Sequence, residues 1–66
     1  MDPDKAFVLL TDQIEKDEWQ EAAETAENLL VWLQKEGFPP RITGRTTVDR
    51  IIAESTCRAV AAWQVA

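Results

Sequence analysis

The 66-residue chain contains no histidine and no tyrosine, and only one cysteine, two glycines and three prolines. Without histidine it lacks the usual general base, the usual partner of a nucleophilic thiol and the commonest neutral metal ligand. Cys57 alone cannot form an internal disulfide, and the Cys and His spacings of zinc sites are also missing. The scarcity of glycine and proline, combined with regular apolar spacing, argues against a disordered tail despite the acidity. No apolar run approaches the roughly 18–20 residues that span a bilayer. The most apolar stretch is Ala59 to Ala66. The opening Met1-Asp2-Pro3-Asp4-Lys5 is acidic, unlike the basic start of a secretory signal, so the expected location is the reducing cytoplasm.

At this length one domain, residues 1–66, is the ceiling. A chain of about 60 residues buries only about 60% of its unfolded surface and is marginal unless a disulfide, a metal or a second chain adds to it. With the first two removed by composition, burial against another chain is the expected supplement.

Charge is also one-sided. Twelve acids against seven bases give a net charge of −5, which disfavours nucleic acid as a partner. Residues 1–36 carry ten acids and three lysines, whereas residues 37–66 carry two acids and four arginines. The two parts are suited to attract each other, within one chain or between chains.

Three helices are expected, over about residues 3–16, 18–36 and 47–64, and the fold class is all-α. Asp2 suits an N-cap and Pro3 the first helical position, with Ala6, Phe7, Leu10 and Ile14 on one face. Asp17 and Gln20 match a capping box for the second helix. Its stripe is Trp19, Ala22, Ala23, Ala26, Leu29, Leu30 and Leu33, and the steps of three and four suit an antiparallel hairpin with the first helix. Gly37 is expected in a left-handed conformation that closes this helix, with Phe38 folded onto Leu33 and Pro39–Pro40 blocking continuation. The third helix starts at Thr46 with Asp49 reaching back, and its inward face is expected to be Val48, Ile51, Ile52, Ser55, Ala59, Ala62 and Trp63. Arg50, Glu54 and Arg58 are expected to form a ladder of opposite charges on the solvent side. The segment Lys16-Asp17-Glu18-Trp19-Gln20-Glu21-Ala22, followed by Ala26 and Leu29–Leu30, resembles the second helix of a tetratricopeptide hairpin. The resemblance implies a helical hairpin and no more, since residues 46–64 do not repeat it.

Residues outside these stripes supply the candidate sites. Val8 and Leu9 fall off the first helix's face, and Val31 and Trp32 fall among the glutamates of the second. Ala53, Cys57, Val60 and Ala61 widen the apolar arc of the third. These eight are the expected interface of a homo-oligomer, most simply a two-fold dimer, with Trp32 as anchor. Arg41, Arg45 and Arg50 cluster at the start of the third helix as a possible anion contact, although no Gly-rich phosphate loop precedes them. Glu18, Glu21, Glu24 and Glu27 read as a solvated face. No nucleophile, base and oxyanion arrangement can be assembled, so no catalytic, metal or cofactor residues are expected. The functional expectation is a non-enzymatic, self-associating protein-interaction module. The alternatives are an acidic inhibitor or decoy that occupies a basic site, and an anion- or nucleotide-responsive regulator.

Overall fold

The computed structural model describes residues 1–63. It contains three helices, α1 (Pro3–Glu15), α2 (Trp19–Gln34) and α3 (Thr46–Trp63), and no strand among the described residues. The expected end of the third helix at Gln64 lies outside the described residues. α2 is central and packs against both α1 and α3.

Local chemistry sets the ends of α1. The Asp2 carboxylate accepts the N–H groups of Asp4 and Lys5 at 3.1 and 3.2 Å, and Pro3 occupies the first turn where its missing N–H costs nothing. At the other end, the Asp17 N–H donates to the Ile14 carbonyl and the Glu18 N–H to that of Gln13. This is the paired closure of a Schellman ending, and it places Asp17 at φ 57°. Asp17 therefore ends α1 instead of capping α2. Glu18 takes the N-cap position of α2 and makes no side-chain capping bond, so the expected Asp17–Gln20 box does not form.

The end of α2 repeats the motif, one residue earlier than expected. Glu36, at φ 63°, is the left-handed residue, its N–H donating to Leu33 and the Gly37 N–H donating to Trp32. Gly37 is required for a different reason: a Cβ there would lie 2.5 Å from Cδ2 and Nε1 of the Trp32 indole, and closer still to Cε2. Phe38 is not folded onto Leu33 but is 80% exposed. It is Pro39 and Pro40 that turn inward and are buried.

The core is narrow and made largely of small side chains. Leu10 of α1, Ala22, Ala26, Leu29 and Leu33 of α2, and Ala53, Cys57 and Val60 of α3 form one buried cluster, flanked by Ala6, Phe7, Ile14, Leu30 and Trp32. Ala22 and Ala26 of α2 and Ala53 and Cys57 of α3 lie in this one cluster, and their small size permits helix axes at the close end of the usual range of about 8–10 Å. A half-buried hydrogen bond from the Thr25 hydroxyl to Gln13 Oε1, 2.7 Å, ties α1 to α2.

The orientation of α3 overturns the expected one. The inward face is Asp49, Ala53, Cys57 and Val60. The stripe expected inside points outward: Ile51 is 60% exposed, Trp63 is 68% exposed, and Val48, Ser55, Ala59 and Ala62 are also exposed. Only Ile52 of that set is half-buried. The physical reason is complementarity of size, because the small side chains Ala53 and Cys57 let α3 pack closely on the mixed alanine and leucine face of α2.

Candidate functional site

The loop between α2 and α3 is held by side chains at both of its ends. The Arg50 guanidinium, on the first turns of α3, donates to the Leu33 and Gly37 carbonyls, both at 2.8 Å. These carbonyls lie at the end of α2, where orphan acceptors and the helix dipole both favour a cation. The Asp49 carboxylate reaches back to take the Thr43 N–H and hydroxyl, both 2.7 Å, and the Gly44 N–H at 3.2 Å. The Asp4 carboxylate of α1 accepts the Arg41 N–H at 2.6 Å. Burial of Asp49 opposes its ionisation, but the bonds from Thr43, Ile42 and Gly44 outweigh that and lower its pKa from the ordinary 3.8.

This arrangement bears on the anion reading. A hollow of about 600 Å³ opens between the start of α1, the loop and the start of α3, with Asp4, Arg41, Gly44 and Asp49 on its walls. The Arg41, Thr43 and Gly44 amides of the loop are already bonded to the two carboxylates, which would also repel an anion. Arg50 is committed to the carbonyls of α2, and Arg41 and Arg45 are exposed. Of the three arginines only Arg41 lines the hollow.

Cys57 is fully buried, and its thiol is pushed up to about 11 by burial and by the charge of Glu54. It is protonated at neutral pH, the opposite of a reactive thiol. Among the described residues, no group of three or more His, Cys, Asp or Glu side chains could hold a metal ion. Among the same residues, no helix is long and apolar enough to cross a membrane.

The expected interface set divides in two. Val8, Leu9 and Val31 are exposed. Val8 and Leu9 line a shallow hollow on the outer side of α1 with Asp4, Lys5 and Asp12. Ala53, Cys57 and Val60 are instead in the chain's own core, and Ala61 is half-buried. Trp32 is half-buried against its own chain, its Nε1–H donating to the Phe38 carbonyl at 2.8 Å. Ala53, Cys57 and Val60 are therefore corrected from a surface facing another chain to packing within one chain, because that face of α3 is the one that packs on α2, and Trp32 is drawn partly inward by its bond to the loop.

What replaces them is the outer face of α3. Val48, Ile51, Ser55, Ala59 and Ala62 recur at steps of three and four along the helix, opposite the buried Ala53 and Cys57. No charged side chain interrupts this line. At its far end Trp63 stacks on Trp19 of α2, with centroids 5.5 Å apart and planes 18° apart, which fixes the indole while leaving most of it open to solvent. Sequence spacing had identified the stripe but placed it on the wrong side. The usable signal was the match between Ala22, Ala23 and Ala26 and the small series Ala53, Cys57 and Ala61. No protein-family model matches the chain, and no curated protein or solved structure matches it either.

Proposed function

We propose that the chain is a non-enzymatic protein-interaction module that self-associates, most simply as a homodimer, by covering the outer face of α3 with a second copy. The observation that carries this reading is the inversion of α3, with small side chains inside and Val48, Ile51 and Trp63 outside. Burying a large apolar side chain contributes roughly 1.5–3 kcal/mol, a sizeable gain for a chain whose core is this small. The absence of histidine and the protonated, buried Cys57 support a role without catalysis. A free, buried thiol fits a reducing, cytoplasmic location. The acidic-decoy alternative has its own support: Glu24 and Glu27 on the outer side of α2 are exposed and take no part in the Lys16–Asp12 or Arg58–Glu54 pairs.

Concentration-dependent melting separates these readings. The wild-type Tm should rise with protein concentration, by mass action, and Ile51→Asp should abolish that rise while the far-ultraviolet spectrum stays helical. A wild-type Tm that is constant from micromolar to millimolar protein would defeat the proposal and favour the decoy.

A further inference from the structure

We infer that two copies pair α3 against α3 in antiparallel register, with the two-fold axis passing through Ser55. This rests on the self-association proposed above and adds its geometry. In such a pair, residues whose numbers are equally spaced about 55 face each other. Val48 then meets Ala62 of the second copy, Ile51 meets Ala59, and Ser55 meets itself, so Val48 and Ile51 each fall opposite an alanine. All five are exposed within one chain.

The two flanks of the stripe independently select the same direction. One flank carries Glu54 and Arg58, which pair at 3.4 Å within the chain. The other carries the half-buried Ile52 and the open Trp63. In an antiparallel pair each flank meets its own kind. Glu54 comes beside Arg58 of the second copy, and Trp63 comes over Val48 of the second copy at both ends of the seam. A parallel pair would lay the Glu54–Arg58 flank of one helix along the apolar flank of the other, partly desolvating that pair with no further charge to meet it. Antiparallel packing also sets the two helix dipoles head to tail.

Single-cysteine cross-linking reads the register directly. In a Cys57→Ala background, Ile51→Cys, Ser55→Cys and Ala59→Cys are each oxidised mildly at a concentration where light scattering has fixed the molar mass. A disulfide needs Cα atoms about 4.4–6.8 Å apart. Antiparallel pairing about Ser55 leaves the two copies of residue 51, and likewise of residue 59, about 12 Å apart along the axis. The expected result is that Ser55→Cys forms covalent dimer at least tenfold faster than Ile51→Cys or Ala59→Cys alone. Mixing those two variants should then restore fast cross-linking between unlike chains. Comparable self-cross-linking at all three positions would overturn the register in favour of a parallel pair. A dimer by light scattering that cross-links at none of them would overturn the register and the α3 seam together, leaving self-association through another face. A monomer by light scattering would overturn self-association itself.

Discussion

Gly37→Ala is the sharpest test of how the chain is closed around Trp32. The added methyl would sit 2.5 Å from Cδ2 and Nε1 of the indole, inside any tolerable contact, so the ring must move. Moving it strains the Nε1–H bond to the Phe38 carbonyl, now 2.8 Å, and disturbs the Gly37 carbonyl that Arg50 holds. Overpacking costs about 1–3 kcal/mol and a lost hydrogen bond about 0.5–1.5, giving an expected loss of about 2–3 kcal/mol. A chain of this length has roughly 3–10 kcal/mol in all, so the effect is large. Urea midpoints followed by far-ultraviolet circular dichroism, at one fixed low protein concentration, give the value. The cause is separable by a double-mutant cycle, because in a Trp32→Leu background the same substitution should cost under about 1 kcal/mol. Gly44→Ala is the control: its φ of 86° imposes a left-handed penalty of about 1–2 kcal/mol, and nothing lies within 4 Å of the added methyl. That cost should be the same in both backgrounds. Gly37→Ala tolerated to within about 0.5 kcal/mol, or an equal cost with Trp32 removed, would refute the close approach.

Three further outcomes follow from the same geometry. Arg50→Ala should lose about 2–3 kcal/mol by stripping charge-assisted bonds from the ends of Leu33 and Gly37, and Arg50→Lys should recover less than half of it, since an ammonium lacks the fork; full recovery by lysine in urea titrations would contradict the bidentate role. Glu36→Gly should raise stability by about 1 kcal/mol by relieving a left-handed L-residue, and a fall in the urea midpoint would argue against that conformation. Asp49 has a folded pKa below its ordinary 3.8, so its stabilisation is complete above that pH and is lost as pH falls through the lower folded value. The wild-type advantage over Asp49→Asn should therefore be constant above about pH 4 and shrink below it; an advantage that grows on acidification would be inconsistent with a lowered pKa.

Helix number and placement were legible in the sequence because local signals and apolar spacing agreed: Asp2–Pro3 opens α1, Pro39–Pro40 prevents continuation of α2, and Thr46 begins α3. Two details depended on tertiary contact and could not be read locally. The left-handed residue closing α2 is Glu36, whereas Gly37 is needed against the Trp32 ring, whose position is set by the fold. The rotation of α3 was ambiguous because it has apolar residues on two opposite sides. Hydrophobicity alone favours Ile51 and Trp63 inside, whereas close packing on the Ala22, Ala26, Leu29 and Leu33 face favours Ala53 and Cys57. The partners of Arg50 and Asp49 were likewise invisible, since both act on backbone groups that the loop brings to them.

The central claim, that the exposed face of α3 is covered by a second copy, is tested most directly by sedimentation equilibrium of the wild type and Ile51→Asp side by side. The wild-type molar mass should climb from the 7.5 kDa of one chain toward twice that value as concentration rises, while Ile51→Asp stays at 7.5 kDa and remains helical. A wild type that stays at 7.5 kDa into the millimolar range, or an Ile51→Asp chain that dimerises as readily, would contradict the account.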